Sequence, residues 1–194
     1  MLNLAKVKLP DCIECNGKFF NLKTDFRVWL GFSQTVNEKG AVVDDADFVY
    51  ADEIPPAEEK AEAFKKLLDF YMPKNELPRK IGGEDSGTKI LDYTIDADYI
   101  YAAFLEQYGI DLLQTDENGH VIELHWHKFL ALLSGLHGTK LNEIMSWRGW
   151  SGDTKTEYGK QMQKLRNAWE LPSEDREKVQ EDFEKFNALF EKKD

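Results

Sequence analysis

The spacing of apolar side chains predicts that most of the second half of the chain is helical. Helices are expected over 96–108, 122–134, 139–148 and 155–169, and a last one from Ser173 onward. In each of them large residues recur three or four positions apart, which puts them on one face of a helix. The expected inward-facing sets are Ile100, Ala103, Phe104 and Tyr108; Trp126, Phe129, Leu130 and Leu133; Leu141, Ile144, Met145 and Arg148; Tyr158, Met162, Leu165 and Trp169; and Val179, Phe183, Phe186 and Phe190.

The first half opens with the pattern of a β-hairpin. Residues 12–15 and 18–22 flank Asn16-Gly17, the pair that suits the two positive-φ positions of a type I′ turn. Thr24 or Asp25 can then cap a helix through residue 32. Residues 41–56 are expected to form an irregular connector, followed by a helix from Ala57 to Met72. Its inward stripe is predicted to be Ala61, Phe64, Leu68 and Tyr71, with Leu67 alongside.

These elements predict a mainly α fold, a multi-helix domain with a small N-terminal β-hairpin. An α+β arrangement is the minor alternative. Residues 73–91 are rich in Pro, Gly and charged residues, so they are predicted to be a flexible linker or loop. The chain is therefore divided into 1–72, the hairpin and first helices; 73–91, the linker; and 92–194, a helical region.

Charge narrows the classes of partner. The formal net charge is −11 and the pI is about 4.9, which argues against binding to a phosphate backbone through Lys and Arg. No apolar run approaches the roughly 18 residues of a membrane span, and the start lacks the features of a signal peptide. We therefore expect a soluble protein with no nucleic-acid or membrane partner.

Residues able to do chemistry are present, but not in catalytic patterns. Cys12-x-x-Cys15 could be a redox pair or half a zinc site, but no second half follows at matched spacing, so two small side chains in a hairpin strand are the preferred interpretation. His125 and His127 fall within a predicted helix, which would point their rings about 200° apart. The carboxylates Asp92, Asp96, Asp98 and Asp111 look structural, and the serines lack a nucleophile elbow. No enzyme activity, metal or cofactor is expected.

The run Trp147-Arg148-Gly149-Trp150 is the candidate partner-binding site. Trp and Arg are enriched at interface hot spots, and an Arg between two indoles could stack on them or anchor a partner. The alternative is that both rings cap the core where a helix ends. The sequence favours this alternative but leaves both open.

Several segments between Asp92 and Arg148 carry a family resemblance. They are residues 96–104, 108–112, 124–126 and 144–148, with Phe129, Leu132-Leu133 and Gly135-Leu136, and the opening hairpin with residues 24–27 also fits. In these features the chain resembles the bacteriophage Gp15 family of tailed phages that infect Gram-positive bacteria. His127 departs from the aromatic residue expected at its position.

The resemblance implies a role in tail assembly, because members are usually encoded just before the tape-measure protein. The implied function is a chaperone in the host cytoplasm that keeps the tape-measure protein soluble and helps tail-tube polymerisation. Further implied partners are the tail-tube protein and a second assembly chaperone, and self-association is compatible with the role. The first rival is a structural virion component, such as a head–tail connector or tail terminator subunit. The second, a small enzyme or a regulator of host proteins, has no residue-level support.

Overall fold

A computed structural model of the protein describes residues 4–6, 8–37, 43–73 and 89–172. These ranges contain a hairpin of two antiparallel strands, β1 (Cys12–Cys15) and β2 (Lys18–Asn21), and six α-helices. The helices are α1 (Phe26–Asn37), α2 (Lys60–Tyr71), α3 (Ala97–Tyr108), α4 (Trp126–Gly135), α5 (Lys140–Gly149) and α6 (Glu157–Trp169), and a 3₁₀ helix (Val43–Val49) precedes α2. The predicted mainly α fold with an N-terminal hairpin is confirmed. The helix predicted from Ser173 lies outside the described residues.

The hairpin forms as its turn residues predict. Asn16 has a φ of 49° and Gly17 a φ of 80°, the left-handed pair that a type I′ turn requires. Ile13 pairs with Phe20, and both side chains are buried, as is that of Cys15. Alternation along each strand thus turns one face of the hairpin toward the core.

The connector after α1 is more ordered than predicted. Within the expected irregular segment 41–56 lies the 3₁₀ helix, which buries Ala46 and Val49. The chain then runs beside β2, because Lys23 N donates to Val49 O (2.8 Å) and Ala51 N donates to Asn21 O (3.0 Å). Pairing with the hairpin, which no local pattern shows, gives this acidic segment its structure.

The predicted start of α2 is wrong, and its predicted inward stripe is right only in part, because Phe64, Leu68 and Tyr71 are partly buried against the core. The helix begins at Lys60 and not at Ala57, after a turn in which Glu59 N and Lys60 N both donate to Pro56 O. Its buried residues are Ala63, Leu67 and Phe70, whereas Ala61 is exposed. Three elements pack against α2: the hairpin, the 3₁₀ helix and α1. The buried face of α2 is therefore set by three neighbours rather than one.

A short backbone crossing holds the starts of α1 and α4 together. Phe26 N donates to Leu124 O (2.9 Å), and Trp126 N donates to Thr24 O (2.7 Å). Asp25 caps α1 through Arg27 N (3.0 Å) and also accepts from Leu124 N (3.1 Å). The expected cap at 24–25 is confirmed for Asp25, whose carboxylate serves two segments at once.

This crossing explains why α4 begins later than predicted. The periodicity suggested a start near Ile122, but Ile122 N donates to Gln114 O (3.0 Å) and residues 124–126 pair with 24–26. Those backbone groups are occupied by extended pairing, so the helix begins only at Trp126. His125 becomes its N-cap, with its ring accepting from His127 N.

Aromatic rings fill the centre of the core. Phe129 is fully buried and stacks against Phe26 (4.7 Å between centroids), Phe104 (5.2 Å) and Trp126 (5.6 Å). Trp29 of α1 packs on Phe70 of α2 at 4.5 Å. The predicted core positions Phe104 and Phe129 are confirmed.

Residues from both sides of 73–91 contribute to this one core. The hairpin, α1 and α2 supply residues from Ile13 to Phe70, and the later helices supply residues from Ile100 to Leu141. The boundaries 1–72, 73–91 and 92–194 stay a prediction, since 74–88 and 173–194 lie outside the described residues.

The last described helix, α6, packs mainly on α5. Only Gly159 of α6 is fully buried, and a Cβ there would come within 1.9 Å of Asp153 O, so the close approach of the 153–154 loop requires glycine. Trp169 contacts Trp147 and Tyr99 at 5.7 Å each. Tyr158, predicted on the inward line of α6, is instead 67% exposed, because α5 covers only one side of this helix.

Candidate interaction surface

An apolar groove of about 590 Å³ lies between the end of α2, one face of α4 and the start of α5. Among the residues that the structure describes, no Asp, Glu, Lys or Arg lines it, although 31% of the chain is charged. Its lining consists of Tyr71, Met72, Pro73, Leu91, Tyr93, Trp126, His127, Leu130, Ala131, Leu133, Ser134, Leu136, Leu141, Asn142 and Met145. An uncharged depression on so acidic a protein is suited to apolar side chains of a partner.

The floor of the groove is a fixed aromatic layer. Tyr71 and Trp126 stack with their centroids 5.3 Å apart and their planes within 6°. The Trp126 indole N–H also donates to Tyr71 O at 2.8 Å, which ties the end of α2 to the start of α4. Tyr93 packs edge-on against Trp126 at 6.0 Å. Trp126 is fully buried, so the layer is part of the core and cannot shift without disturbing it.

The opposite wall comes from α5, whose start is fixed by a capping box. The Thr139 hydroxyl accepts from Asn142 N, and the Asn142 side chain accepts from Thr139 N, as the expected cap at Thr139 predicts. Asn142 Nδ2 also donates to Leu136 O at 3.0 Å. These bonds set the direction of α5, and Leu141 and Met145 follow into the groove on successive turns.

His127 adds an unsatisfied polar atom to this lining. It is 4% exposed, and its Nε2 donates to Phe70 O at 2.8 Å. Its Nδ1 is buried and has no hydrogen-bond partner within the described part of the chain. Burial lowers the pKa of His127, so the ring is neutral near pH 7 and Nδ1 carries a lone pair that can accept a hydrogen bond.

His125 and His127 lie closer together than their predicted helical positions implied. Because His125 is the N-cap and not a helical residue, the two ring centroids are 5.2 Å apart. The Nδ1 of His125 accepts from His127 N, and its Nε2 donates to Pro10 O at 2.9 Å. Both nitrogens of His125 are therefore used. Among the described residues no group of three His, Cys, Asp or Glu side chains could hold a metal ion.

The cysteines lie where the preferred interpretation put them, in the first strand of the hairpin. Cys12 is partly exposed and Cys15 is buried, and both are free thiols. Burial raises the pKa of Cys15, which keeps the thiol protonated and unreactive at neutral pH.

The three candidate partner-binding residues lie at the junction of α5 and α6. Trp147 is half-buried against Trp169, and the cation over its ring is Lys140, with Nζ 4.2 Å from the centroid. The Trp150 ring lies so close to Gly152 that a Cβ there would come within 2.9 Å of it. Trp147 thus packs α6 against α5, and Trp150 packs against the loop between these two helices. Both indoles keep part of their surface in solvent.

Arg148 does not stack between those indoles, because it is buried and fully engaged. Its guanidinium forms two bonds to the Asp96 carboxylate, at 2.6 and 2.9 Å, with 4% and 1% of the two side chains exposed. It also donates to Trp169 O (2.6 Å) and Ile90 O (3.1 Å). Arg148 therefore joins three segments inside the protein and is not accessible to a partner in this conformation.

The same pairing corrects the role expected of Asp96. Its side chain makes no cap bond to α3, and instead it accepts from Asp92 N at 2.9 Å and holds Arg148. A buried carboxylate needs a cation, and the cation lies 52 residues away in sequence. Gly109 does end α3 as predicted, with a φ of 65°.

A protein-family model described as Bacteriophage Gp15 protein matches residues 6–171, a range that includes the hairpin and all six described helices. The chain belongs to the bacteriophage Gp15 family. No curated protein and no solved structure matches it.

Membership of the Gp15 family identifies a phage structural or assembly protein. The family is not known for enzymatic activity. In the described ranges no helix has the length and apolar character needed to cross a membrane. The family description names no partner, so the partner is inferred from the groove.

Sequence analysis missed the groove because it assigned its residues to the core. Leu130, Leu133, Tyr71 and Met145 were expected inside, but all four are only half-buried. Leu132 widens the apolar arc of α4 beyond Trp126, Phe129, Leu130 and Leu133, but it does not line the groove. On the groove side the arc is continued by Ala131 and Ser134, which are too small to indicate an apolar surface.

Proposed function

We propose that this protein is a tail-assembly chaperone in the host cytoplasm that binds the tape-measure protein, keeps it soluble and helps tail-tube subunits polymerise around it. Family membership supports a phage assembly role. The observation that carries the finer proposal is the uncharged groove between α2, α4 and α5. The tail-tube protein and a second assembly chaperone are the proposed further partners.

A groove of this kind suits an amphipathic helix. Such a helix places side chains at i, i+3, i+4 and i+7 into an apolar trough, and a tape-measure protein is expected to be long, helical and apolar on one side. Leu130, Leu133 and Met145 are half-exposed along the groove, so they would bury further surface on binding. Covering the apolar stripe would remove the surface through which the free tape measure aggregates.

The acidic character of the protein has a smaller part in this proposal. The described residues of the groove lining carry no carboxylate, so acidic side chains there do not select the bound helix. The net charge of −11 acts at longer range, because it speeds encounter with basic stretches of a partner and keeps the complex soluble.

Trp147 and Trp150 remain candidates for a second contact. Met145 and Trp147 are two residues apart on α5, so they project about 200° from each other. The indoles therefore belong to a different face from the groove. A partner long enough to leave the groove could pass over them, and Trp147→Ala or Trp150→Ala would then weaken binding by up to about 2–4 kcal/mol.

Co-expression with the cognate tape-measure protein tests the proposal. The tape measure should move from the pellet to the supernatant and be recovered with this protein in a pull-down. Met72→Lys is the groove variant, because Met72 lines the groove and is 60% exposed, and a cation suits the C-terminal end of α2. Leu113→Lys is the matched control at an exposed residue (71%) outside the groove lining.

We expect Met72→Lys to lose the solubilising effect and Leu113→Lys to retain it, with equal melting temperatures. An insoluble tape measure and no complex with the unaltered protein would refute the chaperone function. The rival is a structural virion component, a head–tail connector or tail terminator subunit. Mass spectrometry of purified particles decides between them, because a chaperone is absent from mature virions and recovery there would favour the rival.

A further inference from the structure

We propose that the free edge of β1, formed by the backbone of Cys12 and Glu14, binds an extended segment of a partner protein as an added antiparallel strand. The segment is expected to alternate apolar and basic side chains. The inference goes beyond the proposed function and does not depend on it, because it concerns backbone groups of the hairpin and not the groove between α2, α4 and α5.

The hairpin register leaves one edge of β1 without a partner strand. Leu22 N donates to Asp11 O at 2.8 Å, so these two residues form a hydrogen-bonded pair. Because such pairs alternate along an antiparallel ladder, Ile13 bonds to β2, whereas Cys12 and Glu14 direct their N–H and C=O groups to the opposite edge. Within the described ranges no backbone group pairs with Cys12 or Glu14 from that side.

The backbone on either side of this free edge is already satisfied. Residues 49–51 cover the outer edge of β2. Just before β1, Pro10 O accepts from His125 Nε2 at 2.9 Å. The open part is therefore confined to the N–H and C=O groups of Cys12 and Glu14, and the backbone of another strand is what such an edge pairs with.

A recess of about 480 Å³ runs along the free edge. Ile13 and Glu14 line it from β1, Lys66 and Phe70 from α2, and His127 from α4. His127 Nδ1 is buried and has no hydrogen-bond partner among the described residues, so the recess also contains an acceptor that a donor of the bound segment would satisfy. The space, the backbone groups and this acceptor together suit a short extended chain.

The two faces of β1 determine the side chains that the added strand should carry. Ile13 and Cys15 are buried on the face toward the core, and Phe70 lines the recess on that side, so the added residues on this face should be apolar. Glu14 is exposed on the other face, where a basic residue directly opposite it would be favourable. The net charge of −11 also favours a basic segment.

A second copy of this chain fits the free edge less well than a single extended segment. Because α2 flanks the edge in each copy, pairing two copies edge to edge would bring two α2 helices together. It would also bring together two chains that each have a net charge of −11, which repel each other. The occupant is therefore a segment of a different protein.

A designed peptide provides the probe. It has blocked ends, is about seven residues long and alternates lysine with valine, so as a strand it would span about 23 Å. In the antiparallel arrangement the lysines lie opposite Cys12 and Glu14, and their backbone N–H groups point toward β1, whereas those of the valines point away. N-methylation of the lysine amides should weaken binding in fluorescence anisotropy at least about tenfold, and N-methylation of the valine amides should leave it unchanged.

Amide hydrogen exchange in the full-length protein shows where the peptide binds. The N–H groups of Cys12 and Glu14 should exchange quickly in the free protein and more slowly with the peptide bound. The N–H of Ile13, which is already bonded to β2, is the internal control and should not change.

Glu14→Pro is the matching variant of the protein, because proline is tolerated on an edge strand where its nitrogen faces solvent. It removes an N–H from the free edge without removing a bond to β2, so the unmodified peptide should bind at least about tenfold more weakly. Glu14→Thr is the control that removes the carboxylate and keeps the N–H, and it should weaken binding at most about fivefold. If Glu14→Pro does not fold, the two N-methylated peptides decide alone.

The inference is overturned if the unmodified peptide does not bind, or if the two N-methylated peptides bind equally, since charge alone would then explain the attraction. Equal effects of Glu14→Pro and Glu14→Thr would overturn it as well. So would self-association of the free protein in sedimentation that Glu14→Pro abolishes, because a second copy would then occupy the edge. None of these outcomes bears on the groove, which Met72→Lys tests separately.

Discussion

Phe129 is the residue whose truncation best tests the architecture. Its ring is fully buried and stacks on Phe26, Phe104 and Trp126, so it touches α1, α3 and its own helix. Phe129→Ala removes the buried ring and leaves a cavity among rigid neighbours, for which the expected loss is about 3–5 kcal/mol. Because four aromatic pairs are lost at once, three of them stacked and one with Tyr93 tilted, we expect the upper half of that range.

Urea denaturation followed by far-ultraviolet circular dichroism measures this loss. Phe19→Ala is the control, since Phe19 is 64% exposed on the hairpin, and it should change stability by no more than about 0.5 kcal/mol. A double-mutant cycle between Phe26 and Phe129 should show about 0.5–1.5 kcal/mol of coupling for the stacked pair.

A loss below about 1 kcal/mol for Phe129→Ala, at an unchanged dependence on urea, would refute the described core. It would mean that the aromatic stripe of α4 faces solvent or a partner. Phe104→Ala gives an independent measurement, because Phe104 is also fully buried and should lose about 3–5 kcal/mol as well.

Three further predictions concern polar groups. Protein purified without chelator should contain well under one zinc per chain, and a stoichiometric, tightly held ion would overturn the hairpin interpretation of Cys12 and Cys15. Arg148→Met should lower the free energy of unfolding by about 3–5 kcal/mol, because it leaves the Asp96 carboxylate buried and unpaired. The double variant Arg148→Met with Asp96→Leu should lose less stability, and equal losses in the two variants would contradict the pairing. Burial holds the folded-state pKa of His127 below its ordinary 6.5, so its contribution to stability is present above about pH 6.5 and is lost as pH falls below it. The free energy of unfolding should therefore decrease as the pH is lowered below about 6.5. His127→Phe should make this dependence on pH less steep, and an unchanged dependence would contradict a buried neutral ring.

Local chemistry made several elements predictable. Asn16-Gly17 specified its turn through the positive φ that both positions adopt, and Gly109 ended α3 for the same reason. Thr139 with Asn142 specified the start of α5. In each case the deciding interaction lies within a few residues, which is the range that a single sequence reveals.

What the sequence could not show depends on partners far along the chain. The start of α4 is set by pairing with residues 24–26, and the role of Asp96 is set by Arg148. Arg148 stood out because it lies between two tryptophans, yet its contacts are with a carboxylate and two carbonyls that no local pattern connects to it. The groove was hidden similarly, because half-buried and buried leucines have the same periodicity.

The crossing between the starts of α1 and α4 has a consequence during synthesis. The hydrogen bond from Leu124 N to Asp25 spans 99 residues, and Phe26 stacks on Phe129, which is made much later. While the ribosome is still making α2 and α3, the hairpin and α1 lack the surface that completes their core. Closing so long a loop is slow, and nascent chains with exposed apolar faces are prone to aggregation. Translation pauses that occur before Phe129 has left the ribosome would therefore lengthen the most vulnerable period in the life of this protein, whereas pauses after it has emerged would not.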